Sequence, residues 1–197
     1  DLVPLLVTTA GPFGPNNFTT YQPICFEPTF YGQSYDTLYV NSNGNVTLTG
    51  GDFDFTPTVA EFLSGRPRLA PCWTNLVPNQ AGDIWIIETH ARISVVWDGV
   101  LALPGNQNLS CFHVDILSDG TIEMGWPELR PVNTDDLVGI TPGGGAAGIS
   151  QDLSLLGSYT GSPHESIFQF SAETGCLDTI RDLAGGSATF TPTAEAG

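Results

Sequence analysis

The chain has 197 residues, 41% hydrophobic and 10% aromatic, which is enough apolar material for one domain with its own core and excludes a disordered chain. Its 21 Asp and Glu face five Arg and no Lys, a formal charge of −16, and such a field repels phosphate backbones and anionic headgroups, so nucleic acid and membrane insertion are not expected. With 23 Gly and 15 Pro among many Thr, Ser and Asn, the composition suits strands and turns and disfavours a helical fold.

In chain order, residues 1–23 open with the apolar run Leu2 to Val7 and continue through a Gly/Pro/Asn-rich stretch to Pro23. They are expected to form an N-terminal arm or an edge strand, in their own sheet or a neighbour's. The main β-domain is expected over 24–176. Strands are expected at Ile24 to Phe30, Leu38 to Val40 and Val46 to Leu48, the last two joined through Asn43-Gly44, a strong hairpin signal. Pro57 to Leu63, with Thr56 before it and Gly65 after it, reads as the one short helix. Leu69 to Leu76 contains Pro71 and is expected as an edge or bulged strand.

Ile84 to Glu88, Ala91 to Trp97, Asn108 to Leu117 and Thr121 to Trp126 follow as strands, with Ser118-Asp119-Gly120 as a second hairpin turn. Leu137 to Thr141 is a strand entering a glycine run, Leu153 to Tyr159 a strand or one helical turn, and Ser166 to Ser171 a strand. Residues 177–197 read as a C-terminal arm containing the β-prone Ala188 to Thr193. Strands at intervals of about ten residues, with no helical period, predict an all-β fold: an antiparallel β-sandwich or partly closed barrel with one short helix and long loops.

Four Cys without a C-x-x-C pair suggest two disulfides in an oxidising compartment. Three pairings are open; Cys25 with Cys176 and Cys72 with Cys111 is the expected one. No stretch approaches the roughly 20 apolar residues of a membrane span, and the start, Asp-Leu-Val-Pro, reads as a processed N-terminus of a secreted or cell-surface protein. Asn17, Asn45 and Asn108 stand in N-x-[ST] sequons and are expected glycosylation sites in a glycosylating host. Acidic turns at Asp52 and Asp54, and at Asp135 and Asp136, offer the hard oxygens that calcium takes, so calcium is the cofactor to expect if there is one.

Catalytic patterns are weak. Gly143 to Gly148 formally matches G-x-G-x-x-G, but Pro142 precedes it and no βαβ unit surrounds it, so a packed glycine loop is expected. His90, His113 and His164 have no i, i+4 partner, and Gly148-Ile-Ser150 lacks the closing glycine of a nucleophile elbow. Asp115 with Glu123 or Glu128 on opposed strands is the pair that glycoside hydrolysis would need, with carboxyls about 5 to 10 Å apart.

Five blocks carry a family resemblance: Leu38-Tyr-Val-Asn-Ser-Asn-Gly-Asn-Val-Thr-Leu, Arg68-Leu-Ala-Pro-Cys-Trp-Thr-Asn-Leu, Ser94-Val-Val-Trp-Asp-Gly-Val, Cys111-Phe-His-Val-Asp-Ile-Leu-Ser-Asp-Gly-Thr-Ile-Glu and Leu137-Val-Gly-Ile-Thr-Pro-Gly-Gly. In this order they resemble the nidogen-type (NIDO) extracellular domain and its bacterial surface-protein relatives, over roughly 60% of the chain. An acidic residue often follows the tryptophan in that family; here Thr74 and Asn75 follow Trp73. The resemblance implies an extracellular, non-enzymatic structural or adhesive module; with the disulfides and the apolar β-prone segments at both ends, it is expected to associate with copies of itself or other extracellular proteins in a filament or layer. The alternative is a secreted carbohydrate-binding or carbohydrate-active β-sandwich.

Overall fold

The computed structural model describes residues 6–9, 14–104, 109–128, 137–145, 151–152, 167–170, 177–180 and 187–190. Its elements are β1 (Leu6–Thr9), β2 (Phe18–Tyr21), β3 (Thr29–Phe30), β4 (Gln33–Ser34), β5 (Leu38–Asn41), β6 (Asn45–Thr47), α1 (Val59–Ser64), β7 (Arg68–Trp73), β8 (Asp83–Glu88) and β9 (Arg92–Leu101). They continue with β10 (Leu109–Leu117), β11 (Ile122–Glu128), β12 (Leu137–Thr141), β13 (Gln151–Asp152), β14 (Ile167–Phe170), β15 (Leu177–Ile180) and β16 (Ser187–Phe190). Leu153 to Tyr159 lies outside the described residues.

Two antiparallel six-stranded sheets form the body. The first runs β1-β8-β9-β10-β11-β16 and the second β13-β12-β7-β6-β5-β2, with β3-β4 and β14-β15 as two-stranded ribbons. This is the expected all-β sandwich, and neither sheet closes into a barrel. Along β10 the alternation Ser110, Phe112, Val114 buries one face, and Ile84, Ile86, Val95, Trp97 and Met124 join it from neighbouring strands. Leu38, Val40, Val46, Leu69 and Cys72 meet them from the second sheet. Two indoles tie the sheets across this core: Trp97 Nε1–H donates to the Asn41 carbonyl at 3.3 Å and Trp126 Nε1–H to the Pro71 carbonyl at 2.7 Å. Each satisfies a buried indole while its ring supplies apolar area.

The strands at the chain's two ends take the outer positions of the first sheet. β1 pairs with β8 and β16 with β11. The N-terminal segment thus contributes an edge strand to its own sheet, one of the two forms expected of it.

Two expectations need correction. Of Ile24 to Phe30, only Thr29–Phe30 is a strand, because the backbone at Ile24 and Cys25 is spent on a side chain described below. Of the two forms expected of the Pro71 segment, it is the bulged strand that forms: β7 lies between β12 and β6, and the β12–β7 register shifts between Leu137 and Gly139. Pro71 and Cys72 there stand against Val138 alone, so the proline occupies a bulge, where a missing N–H costs the ladder nothing. The helix also begins later than Thr56 suggests. Thr58 is its N-cap, accepting from Glu61 N–H and donating to the Glu61 carboxylate at 2.7 Å. This is a capping pair that the spacing Thr58-x-x-Glu61 encodes.

Candidate functional site

The Pro71 bulge has a consequence for side-chain direction. Strict alternation would put Trp73 in the core with Leu69, but one extra residue reverses the parity, so Leu69 and Cys72 face the core while Ala70 and Trp73 face the outside of the second sheet. On that outer face Phe62 and Leu63 of α1 pack with Ala70, Trp73 and Leu137. Beside this apolar patch lies a buried polar strip.

Arg68, its side chain 3% exposed, forms an ion pair with Asp52. Its guanidinium lies 3.5 Å from the centroid of the Trp73 ring and donates to Asn45 Oδ1 at 3.3 Å. Asn45 Oδ1 also accepts from Asn41 Nδ2, which bonds Thr47 Oγ1 as well. Burial pulls the Arg68 guanidinium below its ordinary pKa range, and the charge and hydrogen bond of Asp52 offset this.

The loop over this strip is held by its own polar groups. Asp52 N–H donates to Asn41 Oδ1, Asp54 N–H to Asp52 Oδ1, and Thr56 N–H to Asp54 Oδ1, at 2.8 to 2.9 Å. The Asp54 carbonyl accepts from both Trp73 Nε1 and Asn43 Nδ2. Asn43 belongs to the Asn-Gly hairpin between β5 and β6, where the expected turn forms but is buried. Its Oδ1 accepts from Leu76 N–H and its carbonyl from Thr74 N–H. Gly44, at φ +77°, lies so close to β7 that a Cβ would sit 1.9 Å from the Cys72 carbonyl oxygen, so both conformation and space demand glycine. The loop, α1 and β7 enclose a cleft of about 190 Å³ lined by Asp54, Glu61, Ser64, Arg66, Arg68 and Trp73 among others.

Of the expected metal ligands, Asp52 and Asp54 therefore meet at one cleft, but Asp52 is committed to a guanidinium. Asp135 and Asp136 lie outside the described residues. Among the described residues no three His, Cys, Asp or Glu side chains converge as a metal-binding group. The sequon residue Asn45 is fully buried, its amide oxygen accepting from Asn41 and Arg68 and its Nδ2, the atom a glycan would occupy, enclosed. Asn17 is exposed and Asn108 is outside the described residues.

The expected Cys72–Cys111 bridge is not formed. Cys72 faces the core from the second sheet, whereas Cys111 lies on the outer face of the first, its Sγ accepting from Gly99 N–H at 3.2 Å and lying 3.6 Å from Asp98. Register shifts on both flanks of Cys111 open the ladder at that point. Cys176, the expected partner of Cys25, lies outside the described residues. Burial and the nearby Glu88 carboxylate push the Cys25 thiol pKa up.

Glu88 is the functional-looking residue that the sequence concealed. It is fully buried, and its carboxylate accepts from Tyr21 OH, Ile24 N–H at 2.9 Å and Cys25 N–H at 2.7 Å. Burial, and then the hydrogen bond and charge of Glu88, hold the Tyr21 phenol above the ordinary tyrosine range. This carboxylate fastens the segment after β2 to the end of β8.

The remaining candidates sort simply. Asp115 and Glu123 are directly opposed on β10 and β11; Asp115 bonds Arg92 at 3.3 Å, and His113 Nε2 lies 4.0 Å from it. Glu128 stands opposite Cys111 instead. His90 is exposed in the β8–β9 turn, and His164 and Ser150 are outside the described residues. The glycine run caps a helix. Gly144 N–H donates to the Gly65 carbonyl and Gly145 N–H to that of Leu63, both at 3.0 Å, which satisfies carbonyls that the end of α1 leaves open.

These features define a two-sheet antiparallel sandwich whose buried charges hold loops in place, one of them beside a cleft. The chain belongs to the NIDO-related family, whose model matches residues 7–192. It is also similar to alpha-tectorin of Mus musculus and of Homo sapiens, 37% identical in each case over 60 residues, 30% of this chain. The chain spans only about 3% of the length of those relatives. No solved structure matches it. Among the described residues no helix is long and apolar enough to cross a membrane.

Proposed function

We propose that this chain is a non-enzymatic, extracellular structural or adhesive module that associates with copies of itself or with other extracellular proteins. One observation carries the reading: the loop over the outer face of the second sheet is fixed by buried hydrogen bonds yet leaves Phe53 and Phe55 exposed. A rigid loop loses little entropy when its apolar side chains are covered, which is what a recurring contact surface requires. Family membership and the stretch shared with alpha-tectorin support an extracellular matrix setting. Because β1 and β16 pair within their own sheet, association through faces and loops fits better than exchange of terminal strands.

Sedimentation velocity over a wide concentration range, with and without chelator, tests this. Concentration-dependent oligomers that weaken in a Phe53→Ser, Phe55→Ser double variant are expected. A monomer at every concentration, in both conditions, overturns self-association. Dissolution of the oligomer by chelator alone would mean that calcium joins the copies.

A further inference from the structure

The segment Asp52 to Glu61 interleaves carboxylates with apolar side chains on one tied loop and the start of α1. Phe53 is 58% exposed, Phe55 39% and Val59 38%, three of the five large hydrophobic side chains exposed among the described residues. Phe53 is itself backed by the Phe18 ring, 5.1 Å between centroids, and Phe18 by Tyr39 at 6.0 Å. The ridge is therefore a supported surface rather than a stray side chain.

Asp54 and Glu61 line the cleft beside this ridge. Asp54 uses Oδ1 for Thr56, and Glu61 uses Oε2 for Thr58, so Oδ2 of Asp54 and Oε1 of Glu61 have no hydrogen-bond donor among the described residues. Asp52 is neutralised by Arg68, which leaves these two carboxylates against the single guanidinium of Arg66. Arg68, its side chain almost wholly buried and paired with Asp52, also lines the cleft. The cleft, about 190 Å³, has the volume of about six waters, room for one long side chain. Around it the whole chain carries −16 and no Lys, a field that draws cations in.

We propose that this cleft receives a Lys or Arg side chain from an extended, apolar-flanked segment of a partner protein. The cation sits between Asp54 and Glu61, and the flanking apolar side chains cover Phe53, Phe55 and Val59. A second copy of this chain is a poorer source of that cation than a basic protein, because it has five Arg and no Lys against 21 Asp and Glu. The inference rests on the reading above only in taking this loop as a contact surface.

The test is a titration of the ¹⁵N-labelled protein with three acetylated, amidated peptides: Leu-Arg-Leu-Arg-Leu, Leu-Glu-Leu-Glu-Leu and Ser-Arg-Ser-Arg-Ser. The first is expected to shift amides of residues 52–66 saturably, the second not at all and the third more weakly. Asp54→Asn with Glu61→Gln, which keep the bonds to Thr56 and Thr58, should weaken the first peptide about fivefold. Raising salt to about 0.5 M should weaken it further, since the Debye length then falls well below 10 Å. Equal binding of the Glu peptide, unchanged affinity in the double variant, or shifts confined to other residues would each overturn the proposal. So would chitotriose moving the same amides while the Arg peptide does not, which would indicate a saccharide site. Self-association is read separately by sedimentation, so either reading can fail alone.

Discussion

Asp52 and Arg68 together hold a loop, a strand and an indole in register. A buried ion pair is weak evidence for stability in itself, because desolvation of two charges cancels much of their attraction, but removing one member strands the other. Asp52→Ala should therefore cost about 3–5 kcal/mol in urea denaturation, and it should also free the 52–56 loop, whose Asp54 N–H loses its acceptor. A cost below about 1 kcal/mol would mean that the Arg68 charge is held by Trp73 and Asn45 alone.

Tyr21 gives a second residue-scale outcome. Its phenol stands above the ordinary range through burial and Glu88. A raised folded-state pKa means that the stabilisation is complete below the unfolded tyrosine value of about 10 and is lost as pH rises through the folded one. Absorbance titration near 295 nm should thus show Tyr21 ionising late, together with unfolding, and Tyr21→Phe should remove that late component. Ionisation of every tyrosine before any unfolding would contradict the Tyr21–Glu88 bond.

At the scale of elements, the helix and the glycine run stabilise each other. Gly143 has φ +70°, and a Cβ there would lie 2.2 Å from the Gly65 carbonyl oxygen, so Gly143→Ala meets both conformational strain and a backbone clash. The expected loss is about 1–3 kcal/mol, with faster amide exchange at Gly144 and Gly145, whereas Thr58→Ala at the other end of α1 should cost about 1 kcal/mol. If Gly143→Ala leaves exchange at these amides unchanged, the loop does not cap the helix.

These elements also show what a linear reading can reach. Hairpins at Gly44 and Gly120 and strands such as Ile84 to Glu88 are local signals, and they were legible. Leu137 to Thr141 agrees at both ends with β12. The Cys25 region, the parity of Trp73 and the burial of Asn45 were not, because each is decided by a contact made far along the chain: Glu88, the β12 strand across the β7 bulge, and Arg68. Asp52 and Asp54 were singled out as acidic oxygens, and the sequence offered no sign that a guanidinium 16 residues later would occupy one of them. Pro57 pointed to Thr56 as the helix cap, whereas α1 is capped by Thr58 with Glu61.

For the molecule as a whole, the excess of acidic over basic side chains sets the balance between two electrostatic effects of salt. Among the described residues, the Asp52–Arg68 pair is buried and little screened, and the Arg92–Asp115 pair is the carboxylate–guanidinium contact with a half-exposed member. An exposed pair contributes about 1 kcal/mol or less, so screening removes little attraction. Repulsion among 21 carboxylates opposed by five guanidinium groups acts over the whole surface, and it is compressed when the chain folds. Screening should therefore stabilise the fold. The thermal midpoint is expected to rise by several degrees between about 10 mM and 300 mM NaCl, as the Debye length falls from about 30 Å to below 8 Å. Tetramethylammonium chloride should act like NaCl if the effect is screening, whereas calcium chloride at matched ionic strength should do more only if a site binds the ion. A midpoint that falls with NaCl would mean that attractive pairs outweigh the repulsion, and it would remove the long-range attraction for basic partners on which the cleft's proposed occupant depends.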